Sequence, residues 1–173
     1  PQGILMVISI PEWDYTEITQ NPKGCYLFLE NIQDPGNLGT MLRTGEAAGV
    51  TAVIADRTCV DLYNPKTIRA TMGSVYRMPF FVAEEFRGAI QGLKERGAKF
   101  YAAHLDGAQM YDEADYTGVC GFLIGNESKG LTEETAALAA TCIKIPMQGN
   151  VESLNAAIAA SVLMYEADRQ RRS

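Results

Sequence analysis

The sequence predicts an α/β domain, a mostly parallel sheet flanked by helices. Three observations carry this. Short apolar runs alternate with segments of helical periodicity, the pattern of parallel strands joined by right-handed crossovers. The run "GVCGFLIGN" (118–126) is apolar without alternation, as a strand covered on both faces must be. A length of 173 residues, with 47% hydrophobic and 21% charged content, suits one domain with a buried core.

The elements follow in order. "CYLFLEN" (25–31) reads as a strand. Asn37 to Ala48 reads as a helix, because Leu38, Met41, Leu42 and Ala48 recur at helical spacing and Gly49 stops them. "VTAVIAD" (50–56) is a strand. "NPKTIRATMGS" (64–74) sets Asn before Pro, an N-cap followed by a first helical position. "VYRMPFFVA" (75–83) is extended and broken by Pro79. Glu84 to Arg96 is an amphipathic helix with Phe86, Ile90 and Leu93 inward, and "AKFYAAHL" (98–105) is a strand. Thr132 caps a short helix to Ala139, with Glu133 and Glu134 in its first turn. "TCIKIP" (141–146) is the last strand, and Ser153 to Gln170 the last helix. Between Ala156 and Tyr165 that helix is apolar nearly all round, more than one buried stripe requires. Its own domain and a partner subunit can both wrap it. Residues 11–23 are polar and contain Pro and Thr; they read as a linker or arm, with Trp13 free to pack on the domain.

Composition narrows the function. No apolar run approaches the roughly 18 residues that cross a membrane. "PQGILMVISIP" lacks the basic start and cleavage site of a signal peptide. The chain opens without Met, which reads as a piece of a longer protein or a processed one. Its four cysteines form no C-x-x-C pair, against a zinc site or redox dithiol. Cys25, Cys120 and Cys142 sit in apolar runs as reduced, buried thiols, which suits a cytoplasmic setting. A single histidine, His104, excludes a two-His metal site, and no nucleophile elbow lies near it. The net charge of −6 argues weakly against nucleic acid. Distribution matters more: Arg57, Lys66, Arg69 and Arg77 share residues 57–77 with only one acid, Asp61. A local basic face and a merely solvated one both fit.

Ligands of parallel sheets gather at the carboxyl ends of strands, which singles out loops 31–37, 125–131 and 146–153. "GNESKG" (125–130) has the glycine spacing of half a Walker loop, but Leu131 follows where the phosphate-reaching Lys must stand. No G-x-G-x-x-G occurs, so the dinucleotide fingerprint fails as well. Pro146 and Gly149 shape a loop whose free backbone groups can grip a planar base. Ser153 suits an N-cap or a ligand contact equally, and Asn155 falls in the first turn, where free N–H groups collect. In "NIQDPGNLGTMLRT" (31–44), Asp34-Pro35-Gly36 is turn chemistry, Asn37 can cap the helix, and Gly39 lets another segment come near. Arg43 follows about one and a half turns later and, taken alone, can simply snorkel to water.

Together the three loops resemble the three motifs of the SpoU/TrmH class of SPOUT RNA 2′-O-ribose methyltransferases. "ENIQDPGNLGTMLRTGEAAGV" (30–50) is similar to the first, "FLIGNESKGL" (122–131) to the second and "IPMQGNVESLNAAIAASVLMYE" (145–166) to the third. "NPKTIRATMGSVYRMPF" (64–80) resembles the intervening helix and strand, and "PQGILMV" the segment where the catalytic domain begins. The resemblance implies a C-terminal deep trefoil knot, a homodimer and S-adenosylmethionine held by Ile124, Gly125, Ile145, Met147 and Leu154. It implies a polar catalytic set of Arg43, Asn37, Glu127, Ser153 and Asn155, with the arginine supplied across the dimer and no metal. It assigns residues 24–173 to the catalytic domain and residues 1–23 to an arm from an upstream RNA-binding domain. The implied reaction is methylation of a ribose 2′-hydroxyl in structured RNA. Ribosomal RNA is expected over tRNA, because the tRNA branch carries further helices where this sequence stops at "RQRRS". A non-catalytic RNA-binding module on the same fold is the alternative.

Overall fold

In a computed structural model the chain forms seven strands and six helices among the described residues, Gly3 and 7–172. In chain order these are α1 (Tyr15–Thr19), β1 (Cys25–Leu29), α2 (Pro35–Ala47), β2 (Ala52–Ala55), α3 (Pro65–Thr71), β3 (Phe80–Val82), α4 (Phe86–Glu95), β4 (Lys99–Ala103), β5 (Gln109–Met110), β6 (Cys120–Ile124), α5 (Glu133–Ala136), β7 (Thr141–Lys144) and α6 (Ala156–Arg172). The strands make one sheet, ordered β3-β2-β1-β6-β4-β7-β5, with every pair parallel. The segment 1–7, where the catalytic domain was expected to begin, lies mostly outside the described residues. No helix of the described residues is long and apolar enough to cross a membrane.

The central strands β1 and β6 are buried along their whole length, as their unalternated apolar runs predict. Side chains nonetheless alternate between two cores. Cys25, Leu27 and Leu29 join Leu38, Met41 and Leu42 of α2 and Ala160 and Leu163 of α6 on one face. Tyr26 and Phe28 join Ile90 and Leu93 of α4 on the other, with α1 and α5 at its margin. Each inward large side chain of this kind contributes about 1.5–3 kcal/mol by leaving water.

Four boundaries differ from the sequence reading. Helix α2 begins at Pro35, because Asp34 takes the cap: its carboxylate accepts the Asn37 N–H at 2.8 Å. Proline at the first position favours that start, and Asn37 is left with its amide uncommitted to the helix. Helix α6 begins at Ala156, not Ser153; Asn155 caps it, its Oδ1 accepting the N–H groups of Ala157 (2.9 Å) and Ile158 (3.2 Å). The stretch 75–83 is a 3-10 turn over Ser74–Tyr76 before the three residues of β3. Residues 11–23, read as a linker or arm, contain α1 and touch the domain: Asp14 caps α1, Tyr15 sets its ring edge-on to Phe81, and the Tyr26 hydroxyl donates to the Ile18 carbonyl at 3.0 Å.

Helix α2 lies between α3 and α6, and Gly39 sets its approach to α3. A Cβ on Gly39 would stand 2.5 Å from the Ala70 Cβ and 2.8 Å from the Thr67 carbonyl oxygen. Gly39→Ala is expected to cost about 1–3 kcal/mol of stability by prising the two helices apart. An unchanged midpoint in urea would refute it.

Candidate active site

Three loops meet at the carboxyl end of the sheet, and a short chain of side-chain bonds joins them. The Glu127 carboxylate accepts the backbone N–H groups of Gln33 (3.2 Å) and Asp34 (3.1 Å) and the Asn37 side-chain amide (3.0 Å). The Asn37 Oδ1 in turn accepts the Asn155 amide at 2.9 Å. Asn155 then caps α6, so the relay ends in a helix rather than in solvent. It thereby fixes loop 31–37, loop 125–131 and the start of α6 relative to one another.

Each loop has its own support. Asn126 shapes the second: its Oδ1 accepts the N–H groups of Ser128 and Lys129, both at 3.0 Å, while its amide donates to the Asn31 carbonyl at 2.8 Å. Glu30, buried at the end of β1, accepts from the backbone N–H (2.7 Å) and hydroxyl (2.9 Å) of Thr132 and from the Thr135 hydroxyl. That bracket pins the far end of the same loop. Gly125 is where the loop folds back on itself: a Cβ there would lie 2.2 Å from the Gly130 carbonyl carbon and from the Leu131 nitrogen.

Burial alone would raise the Glu127 pKa, but the Asn37 amide and the backbone N–H groups of Gln33 and Asp34 outweigh it and hold the carboxyl below its ordinary 4.5. A lowered folded-state pKa stabilises the docked loops above the unfolded value, and that contribution disappears as pH falls through the folded one. Amide-exchange protection at Gln33 and Asp34 is therefore expected to persist to below pH 4.5 and then collapse. Glu127→Gln should abolish that acid step; a step unchanged in the variant would assign it elsewhere.

Beside the relay opens a cleft of about 300 Å³. Ile124, Gly125, Ile145, Met147, Ser153 and Leu154 all line it, and Glu127 stands both here and in the adjoining hollow formed with Gln33, Asp34, Asn37 and Asn155. Ile143, Ala159 and Leu163 complete the apolar wall, while His104, Asp106 and Lys129 stand at its polar side. These last three were not singled out from sequence as ligand contacts. The rule that ligands gather at strand carboxyl ends points to His104 and Asp106, which directly follow β4. Among the described residues no group of His, Cys, Asp or Glu is arranged to hold a metal. Arg43 lines neither hollow. It is exposed and has no ionic or hydrogen-bonding partner among the described residues.

The layout of this cleft can be set against known proteins. A profile of the SpoU rRNA methylase family matches residues 24–165. The chain belongs to that family. It has relatives named for more than one RNA. It is 33% identical over 165 residues to the 23S rRNA (guanosine(2553)-2′-O)-methyltransferase RlmP of Bacillus subtilis, across 95% of this chain and 64% of that one. It is 40% identical over 151 residues to the tRNA (guanosine(18)-2′-O)-methyltransferase of Thermus thermophilus, across 84% of this chain and 74% of that one. Among solved structures it superposes on the SpoU methyltransferase AviRb from Streptomyces viridochromogenes in complex with AdoMet. The TM-score is 0.86 at 30% identity, over 94% of this chain and 63% of that one. This SpoU chain thus spans less than two thirds of the length of some of its relatives, 64% of RlmP for one.

Proposed function

We propose that this chain methylates a ribose 2′-hydroxyl of RNA with S-adenosylmethionine. The observation that carries the reading is the Glu127–Asn37–Asn155 relay standing at the lip of a cleft walled by Ile124, Ile145 and Leu154. The cleft suits the cofactor chemically: branched aliphatic walls for a purine, and Asp106, Glu127 and Lys129 for an amino acid's charges. Ile124, Gly125, Ile145, Met147 and Leu154 would hold it, with Ser153 beside them. When bound, S-adenosylmethionine supplies an electrophilic methyl group on its sulfonium.

The chain's own residues supply position and charge. A protonated ribose hydroxyl is a poor nucleophile, so the site must orient it and favour the developing alkoxide. Arg43 does the second through a charge-assisted hydrogen bond, the proton leaving to phosphate or water; a guanidinium itself is an unsuitable base. Asn37, Glu127 and Asn155 hold the loops that form the floor. Arg43 lies six residues, about 120° around α2, beyond Asn37, so it turns away from its own relay. That direction supports a homodimer in which each protomer lends its arginine to the other's cleft. So does the outer side of α6, where Ile158 and Tyr165 are about half exposed. The same reading includes a C-terminal trefoil knot. The proposed substrate is ribosomal RNA, with tRNA as the alternative; the free thiols suit the cytoplasm, where both reside.

The test is calorimetric titration with S-adenosylmethionine, followed by transfer of labelled methyl to separated rRNA and tRNA. Binding with transfer to rRNA is expected. Binding without transfer to either RNA would make the chain a non-catalytic module, and absence of binding would overturn the reading altogether.

A further inference from the structure

Of the four basic residues in 57–77, two are neutralised within the fold. Arg57 pairs with Glu84 at 2.6 Å, and Arg77 pairs with Glu46 of α2. Lys66 and Arg69 are not: both are exposed, on one side of α3 by their three-residue spacing, with no ionic partner among the described residues. Their surroundings are unusual for a solvated helix. Tyr63 before them is 39% exposed, and Met72 and Tyr76 after them are 69% and 47% exposed. Met72 also holds a left-handed backbone (φ 51°, ψ 35°), which a residue with a long side chain adopts at a cost. The nearby acid, Asp61, is turned to its own loop, accepting the Tyr63 N–H at 3.0 Å.

The patch is fixed with respect to the candidate site. Tyr63 and Lys66 follow β2 at the carboxyl end of the sheet, the end that carries the three loops. Loop 56–60 touches loop 31–37 through the Gln33 amide, which donates to the Thr58 carbonyl at 2.6 Å. The Gly39 contact locks α3 to α2, and Arg43 lies one turn beyond Gly39 on that same side of α2.

We propose that this side of α3 binds the single-stranded RNA segment adjoining the nucleotide to be methylated. Lys66 and Arg69 take successive phosphates, and Tyr63 and Tyr76 stack on bases, with Met72 between them. The charge argument selects the occupant: in a chain of net charge −6, two exposed cations without ionic partners among the described residues, flanked in sequence by exposed rings, suit a polyanion. The proposal rests on the RNA-methylating reading and assigns it a substrate form, an unpaired strand rather than a duplex.

The experiment measures anisotropy of fluorescein-labelled oligouridylate and of a short RNA duplex with the 173-residue chain across a salt series. Wild type is expected to prefer the single strand. K66E/R69E should bind it at least about tenfold more weakly, and its slope of log affinity against log salt should fall by about 1.4, some 0.7 per lost phosphate contact. Tyr63→Ala and Tyr76→Ala, which keep the charge, should each weaken binding about tenfold without changing that slope. The control Lys99→Glu, on β4, should do neither. S-adenosylmethionine binding and thermal midpoint should be unchanged throughout.

Oligouridylate binding equal in K66E/R69E and wild type overturns the proposal. So does a wild type that binds neither strand, or a K66E/R69E chain whose sedimentation shows loss of a dimer, which would make this face a contact between copies. If instead wild type transfers no methyl yet loses strand binding in K66E/R69E, the surface stands and the enzyme reading falls.

Discussion

Arg43→Ala is expected to slow methyl transfer by about 10²–10³-fold while leaving the affinity for S-adenosylmethionine within about twofold of wild type. The split follows from where Arg43 stands. It touches neither the cleft nor the relay of its own protomer, so its loss would remove the charge proposed to steady the reacting oxygen without disturbing the cleft walls. Arg43→Lys should recover little, because an ammonium keeps the charge but not the planar fork. The stronger prediction concerns mixtures. Arg43→Ala chains and Glu127→Ala chains, each nearly inactive alone, should regain about a quarter of wild-type activity when re-assembled together in equal amounts. In the proposed dimer half the assemblies would then be mixed, and each mixed one would contain one intact composite site. If both residues serve one protomer, mixing restores nothing, and the trans arrangement is refuted.

Gly125→Ala is expected to abolish cofactor binding and to lower stability by about 3 kcal/mol. The added methyl would fall 2.2 Å from two backbone atoms of Gly130 and Leu131. Backbone cannot rotate aside as a flexible side chain does, so the 125–131 loop must lift. Lifting it breaks the Asn126↔Gly130 bridge and drags Glu127 from Gln33, Asp34 and Asn37. Calorimetry and thermal unfolding check both halves. Wild-type affinity in the variant would mean that the fold-back opens freely, and would remove the basis for treating the loop as rigid.

The parts of this molecule that could be read in advance are those governed by local pattern. The apolar runs of β1 and β6 and the 3.6-residue spacing of Leu38, Met41 and Leu42 gave the sheet and α2 directly. The two caps were misassigned by competition between good candidates. Asp34, Asn37, Ser153 and Asn155 are all favourable N-caps, and tertiary bonds chose among them. Helix α1 was missed because five polar-leaning residues carry too little periodicity, and β5 because two residues carry none. The relay itself was beyond sequence reading: Asn37 lies 90 positions from Glu127 and 118 from Asn155. Motif resemblance put these residues in one set, with the arginine directed to a partner, but not the order of their bonds.

The relay's final member has a consequence for how the protein is made. Because Asn155 both joins Asn37 and caps α6, the earlier loops gain their tie to the start of α6 only once that helix has left the ribosome. A nascent chain halted after β7 would carry its sheet strands yet offer the cofactor a cleft without the wall formed by Leu154, Ala159 and Leu163. Closure of the cleft therefore waits on α6, after all seven strands of the sheet have been made.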